Sequence, residues 1–402
     1  MFITLFVTNH GSTNNVGLAN AQDSIWILLF VTLLLIVIST KRKMGPLKED
    51  FLSPDTTLTL KGLGVIFLIF GHLSLPYKGI RPFENSGYWA VIIFCFASGF
   101  GIAKKYGETD FGKPFLRRRF NKLAFPVWAT FLLFYTCDFI FLRRVHSVNK
   151  MMFTFIGIIP AAPPNGPAWF ITYSIYCYLL LWVTSLLRIS PIKKVLFIIL
   201  CSYLAGFIIK YLPGLENDFG IWIAYLAVFP VSFLLGLYRK KLFSILDSFY
   251  GRFPIAFLVV TLAMGFLFYA YVATWNLVGL QSWPRVWRSL TFTLRPVYLV
   301  LFVTMLAYVL ERKQWVSTFL LFLGGLSLEI YLLHFPFMAY YDFFLFRRPM
   351  YVFFFPYVLL VLFLSYLLRR STESLRHYCS QSLRMIPFVR NSVGEAKRGG
   401  IS

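Results

Sequence analysis

Eleven apolar stretches follow one another along the chain, each near the ~20 residues a helix needs to cross the hydrocarbon of a bilayer. They run over residues 24–39, 58–75, 87–103, 123–142, 168–187, 195–212, 219–238, 253–273, 290–310, 316–340 and 351–368. Polar or basic segments separate them, and neither an internal repeat nor a soluble domain interrupts the series. The pattern predicts an all-α polytopic membrane helix bundle of about 11 transmembrane helices, a ten-helix core with one helix placed before it. Residues 1–57 would hold an external N-terminus, the added helix and a cytoplasmic linker; 58–368 form the membrane domain and 369–402 a basic cytoplasmic tail. The tail would be partly disordered or lie on the lipid surface.

Charge orients the series. With the first span running from outside to inside, 27 basic residues fall on the inner side and 10 on the outer, an asymmetry that places the N-terminus outside and the C-terminus in the cytoplasm of a plasma (inner) membrane protein. Ala19-Asn20-Ala21 has the form of a signal-peptidase site, but the apolar run before it is short and lacks a basic flank, so no cleavable signal is expected. The longest external loop, 143–167, ends in a Pro-rich turn that reads equally as the wall of a vestibule or as a plain re-entry turn.

Composition agrees with this picture. The 402 residues are 58% apolar and 14% charged, with mean hydropathy +0.70, and such a chain could not cover a water-soluble surface. A cytosolic enzyme, a secreted module and a disordered chain are excluded. The net charge of +23 sits in short runs between spans, where it reads as topology signal and contact with anionic lipid rather than nucleic-acid binding. The five cysteines have no CxxC or metal spacing; no disulfide and no metal site are expected.

Ionisable groups inside a bilayer are costly, so they are the places to look for chemistry. Lys61 and His72 stand eleven residues apart in the second span, which brings them within roughly 20° on one helix face and about 16 Å apart along it. Taken singly, Lys61 could be a snorkelling anchor and His72 a hydrogen-bonded helix contact. Gly99 and Ala103 in the third span have the small-xxx-small spacing of tight helix packing. The dense basic loop that follows, with Arg117, Arg118, Arg119 and Lys122, is either a strong topology signal or a phosphate-holding mouth. In the tenth span Ser327, Tyr331 and His334 share one stripe, whereas Glu329 lies about 140° from His334 and needs a partner elsewhere, with Arg295 or Lys61 as candidates. Arg295 precedes Pro296, a pairing that suggests a kinked helix beside a polar cavity.

In their order and spacing these segments resemble the acyltransferase-3 family of integral membrane acyltransferases. Lys61…His72 matches the family's opening helix, where Arg is the usual basic residue. Phe94-Cys95-Phe96-Ala97-Ser98-Gly99-Phe100 is similar to its Phe-rich Ser-Gly signature, and Arg119-Phe120-Asn121-Lys122 before Pro126 to its Arg-x-x-Arg motif. Trp169-Phe170 and the run Ser327 to His334 also resemble family segments. The two Lys residues standing where Arg is usual keep the charge but lose the guanidinium fork. The resemblance implies acyl transfer from a cytoplasmic acyl-CoA, acetyl-CoA foremost, to a sugar hydroxyl on a cell-surface glycan or lipid-linked saccharide. By this resemblance Lys61, Arg117, Arg118, Arg119 and Lys122 would bind the CoA phosphates. His72 would serve as general base or acyl carrier, with Ser98, Glu329, Tyr331 and His334 completing the catalytic set. Trp169, Arg295 and Ser327 would contact substrate. A rival class, a transporter or flippase for a glycan or lipid precursor, would use the same buried charges as a pathway; a purely structural membrane partner would have little use for them.

Overall fold

The computed structural model describes residues 19–43, 51–74, 83, 86–107, 112–159, 164–187, 189–209, 225–277, 285–341 and 350–385, without the side chains of 19–24, 112–113, 206, 209, 268–277, 285–297, 377 and 379–385. Among the described residues the fold is an all-α bundle. Its helices are α1 (Ala19–Ser39), α2 (Pro54–Leu73), α3 (Ser86–Tyr106), α4 (Gly112–Phe141), α5 (Val148–Phe155), α6 (Trp169–Ser185), α7 (Pro191–Ile209) and α8 (Val228–Leu237). They continue with α9 (Arg239–Arg252), α10 (Pro254–Leu277), α11 (Arg285–Lys313), α12 (Thr318–Gly325), α13 (Ser327–Ala339) and α14 (Met350–Met385).

Five helical stretches are long and apolar enough to cross a membrane: Pro54–Leu73, Ser86–Tyr106, Pro114–Phe141, Gly166–Ser185 and Tyr351–Arg376. Two bent pairs, α9 with α10 at 114° and α12 with α13 at 76°, bring the count to seven. The expected number of about eleven is therefore not reached among the described residues. Some apolar runs do not form straight, full-length helices. Span 316–340 breaks at Leu326, the described part of 219–238 is the ten-residue α8, and α1 contributes the apolar helix Ile25–Ser39. The last helix, in contrast, does not stop with its apolar stretch but continues beyond Leu368 to Met385, so a helix carries the first basic residues of the C-terminal segment.

The centre of the bundle is α2, packed between α3 and α12, with α8 on the far side of α3. Ser53 starts α2: its hydroxyl accepts from the backbone N–H of Thr56 at 3.2 Å, and Pro54 takes the first helical position, where no N–H is needed. Glycine sets the distance between α2 and α12. A Cβ on Gly62 would lie 2.2 Å from the Leu320 carbonyl oxygen, and one on Gly324 2.0 Å from that of Leu58. The contact between α3 and α8 uses the same device, as the Gly99/Ala103 spacing predicts. A Cβ on Gly99 would meet the Phe229 carbonyl at 2.6 Å, and one on Gly236 would meet Ala103 Cβ at 2.7 Å. Such close approach maximises dispersion where apolar lipid offers no hydrophobic drive for helix pairing.

A two-stranded antiparallel ribbon, β1 (Thr40–Arg42) with β2 (Trp315–Ser317), ties the end of α1 to the start of α12. At the opposite end of the bundle, Asp138 of α4 is fully buried. It accepts from the Tyr341 hydroxyl and lies 2.5 Å from His146 Nε2, which fixes the turn after α4 against the end of α13.

Because the atoms facing Gly324 are backbone, they cannot move aside as a side chain would. Gly324→Val is expected to destabilise the protein by about 3 kcal/mol, read as a lowered thermal midpoint in detergent. Gly251→Ala, where the added Cβ meets nothing within 4 Å, is the control and should shift it little.

Candidate active site

A cavity of about 260 Å³ lies among α2, α3, α4, α6 and α13. Three cations line one end: Lys61 from α2 and Arg119 and Lys122 from α4. The Arg119 guanidinium also lies over the Tyr178 ring at 5.5 Å and the Phe115 ring at 5.7 Å, contacts that hold its plane while its N–H groups stay available. Ser98 and Tyr178, both on the wall, share a hydrogen bond of 2.8 Å. Phe94, Phe170 and Tyr331 line the cavity as well, and Ser327 and Leu328 bring in the N-terminus of α13.

The break at Leu326 makes this possible. It turns the chain by 76° and points the first turn of α13, whose dipole end is positive, toward the cavity. The carbonyl that the break exposes on Gly325 accepts from the Arg369 guanidinium of α14. Glu329, in that first turn of α13, is buried and does not line the cavity. Its charged neighbours are Lys61, which is one of the two candidate partners, together with Lys122, Arg369 and Arg376.

His72 and His334 pair directly: His72 Nδ1 lies 2.7 Å from His334 Nε2, and the rings stack at 5.0 Å. Their partners assign the protons. His334 Nδ1 faces two backbone carbonyls, Ile330 at 3.0 Å and Tyr331 at 2.9 Å, so it must carry hydrogen. Neutral His334 then offers a lone pair at Nε2, and His72 must donate from Nδ1. That leaves the Nε2 of a neutral His72 unprotonated and able to accept a proton. The pair is not among the residues that line the cavity, which it adjoins through Tyr331, one helical turn before His334. His334 is fully buried, whereas His72 retains partial exposure.

The remaining predicted residues are scattered. Arg117 and Arg118 are exposed and outside the cavity lining. Trp169 is buried in an aromatic cluster with Phe170, Tyr173 and Tyr225. The Arg295 side chain and the first half of the Pro-rich turn, residues 160–163, lie outside the described residues. Two groups escaped sequence reasoning. Tyr178 gives no local signal in a chain that is 20% aromatic, and Asp138 sits near the end of its apolar span, where a carboxylate is unremarkable. Among the described residues no group of three or more His, Cys, Asp or Glu side chains could hold a metal ion.

The site is therefore a cation-lined internal cavity beside a paired imidazole, set in a bundle of apolar helices. The chain belongs to the acyltransferase-3 family, whose acyltransferase domain matches residues 59–370. The match begins inside α2 and takes in every cavity-lining residue, leaving α1 and β1 before it. No curated protein and no solved structure matches the chain.

The proton assignment has a direct check. In ¹⁵N-histidine spectra at neutral pH, His72 should show a protonated Nδ1 and a bare Nε2. His334→Phe should remove that preference, and a His72 signal unchanged by the substitution would show that His334 does not orient it.

Proposed function

We propose that the protein is a membrane O-acyltransferase that moves an acetyl group from cytoplasmic acetyl-CoA to a sugar hydroxyl of a cell-surface glycan or lipid-linked saccharide. In this reading the chain crosses the inner membrane about eleven times, with its N-terminus outside and the basic end of the bundle in the cytoplasm. The observation that carries the reading is the juxtaposition of Lys61, Arg119 and Lys122 at one end of a cavity with Tyr331, the neighbour of the His72–His334 pair, on its wall.

Each part has a chemical use. Lys61 and Lys122 neutralise phosphate as point charges, and Arg119 adds the one planar fork among the three. The cavity then holds the pantetheine arm with the thioester toward Tyr331. The acceptor hydroxyl approaches from the outer face and gives its proton to His72 Nε2 as its oxygen attacks the thioester carbonyl carbon. The carbon–sulfur bond breaks, and the CoA thiolate takes up a proton as it leaves. His334 holds the base in its reactive tautomer, and its hydrogen bond strengthens as positive charge develops on His72. Ser98 stands in the cavity as a hydroxyl donor for the carbonyl oxygen, with the Tyr178 hydroxyl donating to it in turn, while Tyr331 spends its proton on the Pro167 carbonyl and so positions the wall.

Purified protein in nanodiscs should bind CoA, and Arg119→Gln or Lys122→Gln should weaken that binding about tenfold, the loss of one to two charge-assisted contacts. His72→Ala, inserted normally, should lower acyl transfer by about 10²–10⁴-fold, the range for loss of a general base. Mass spectrometry of surface glycans with and without the protein identifies the acceptor. Full transfer by correctly inserted His72→Ala protein would remove the catalytic assignment, and absence of CoA binding would favour a flippase.

A further inference from the structure

The 14 residues of α9 carry four basic side chains, Arg239, Lys240, Lys241 and Arg252, against one carboxylate, Asp247. One face of the helix is committed to the bundle. The Phe243 and Tyr250 rings each lie 5.7 Å from that of Tyr308 in α11, and Phe243 also meets Phe51, just before α2, at 6.0 Å. Asp247 accepts from the Tyr308 hydroxyl at 2.7 Å and lies 3.3 Å from the Arg312 guanidinium, so its charge is spent inside the fold. These contacts place α9 at the end of the bundle where α2 begins and α11 ends.

The opposite face points away from the bundle. Lys241, Ile245 and Arg252 fall within about 40° of one another on a helix of about 3.6 residues per turn, with Phe249 beside Ile245. Ile245 is 57% exposed and Phe249 41%. Lys240, Lys241 and Arg252 make no ion pair among the described residues. The exposed apolar side chains continue through Phe253 into α10, where Ile255, Val259, Leu262 and Phe266 recur at the spacing of a single helix face. The two helices meet at 114°, with the Phe249 ring 5.7 Å from that of Phe257 at the corner. A chain that crosses the bilayer through α10 therefore leaves α9 close to the membrane plane.

Exposed Ile and Phe flanked by cations suit the boundary between headgroups and acyl chains, where the apolar side chains sink in and the stems of Lys and Arg reach back to phosphate. Water alone would leave the two apolar side chains hydrated, and hydrocarbon alone would leave the cations without counter-ions. We propose that α9 lies in the headgroup layer as a binding site for anionic phospholipid, with Ile245 and Phe249 in the acyl region and Lys240, Lys241 and Arg252 on the headgroup phosphates. The excess of basic charge selects a headgroup of net negative charge over a zwitterionic one. The site is separate from the cavity and does not depend on the reaction proposed for it. Asp247 fastens the lipid-bound helix to α11 through Tyr308 and Arg312.

The test reads the site locally. The full-length protein, with the photo-crosslinker p-benzoylphenylalanine in place of Ile245, is set in nanodiscs of phosphatidylglycerol and phosphatidylcholine in equal parts, and the attached lipid is identified by mass spectrometry. Phosphatidylglycerol should exceed phosphatidylcholine at least about tenfold, the effect of two to three charges beside an anionic surface. The triple variant Lys240→Gln, Lys241→Gln, Arg252→Gln should bring the two lipids to near parity. The exchange Lys240→Arg, Lys241→Arg, Arg252→Lys keeps the charge and should keep the preference, which separates loss of charge from damage to the helix. The crosslinker at Phe249 repeats the measurement should the first position perturb folding. Equal labelling of both lipids, a preference that survives in the folded glutamine variant, or the absence of any lipid adduct overturns the proposal. So does labelling in cells that yields a second protein instead of lipid.

Discussion

An interrupted helix in a bilayer leaves backbone carbonyls without water to satisfy them, and each such group costs several kcal/mol in a hydrocarbon surround. The rest of the site depends on how this protein meets that constraint at Leu326. Arg369, reaching from α14, donates to the Gly325 carbonyl at the end of α12, while Gly62 and Gly324 let α12 approach α2 closely enough that the short half-helix is held on its other side. With the break stabilised from both directions, α13 can leave at 76° and carry Ser327 and Tyr331 to the cavity and His334 to His72. A straight helix over 316–340 would have sent those three side chains along a different wall.

The histidine pair adjoins the cavity without being among the residues that line it. Tyr331 stands between them, its hydroxyl donating to the Pro167 carbonyl and so tying α13 to the turn that starts α6. Tyr331 is the side chain the two parts share, since it lines the cavity and its ring lies 6.2 Å from that of His334 one turn further on.

What could be read from the sequence was whatever is periodic and local. Eleven residues between Lys61 and His72 fix a common face by geometry alone, and the small residues at Gly99 and Ala103 announce a close helix contact that the structure contains. The stripe Ser327–Tyr331–His334 was equally legible, because the three residues lie within one unbroken helix. The break just before it was not: Gly324-Gly325 is compatible with tight packing or with a bend, and only the distant Arg369 decides. The same limit hid the pairing of His72 with His334, which are 262 residues apart, and the place of Tyr178 under Arg119. Long-range partners leave no trace in a local pattern. Hydropathy likewise measures how apolar a segment is and not whether it stays straight, so the bend at Leu326 within 316–340 was not legible either.

The added helix is coupled to this machinery through one serine. Ser317 accepts the Leu320 N–H and so caps α12, while its hydroxyl also lies 2.6 Å from that of Ser39 at the end of α1. Ser39 in turn donates to the Ile36 carbonyl at 3.1 Å. An oxygen that accepts from a backbone N–H uses its own proton outward, so the order of donation runs from Leu320 through Ser317 and Ser39 to Ile36. The ribbon of Thr40–Arg42 with Trp315–Ser317 holds those hydroxyls in register. The helix that lies outside the family domain therefore shares a cap with the broken span, and a displacement of α1 acts on the start of α12, eight residues before the break that shapes the cavity.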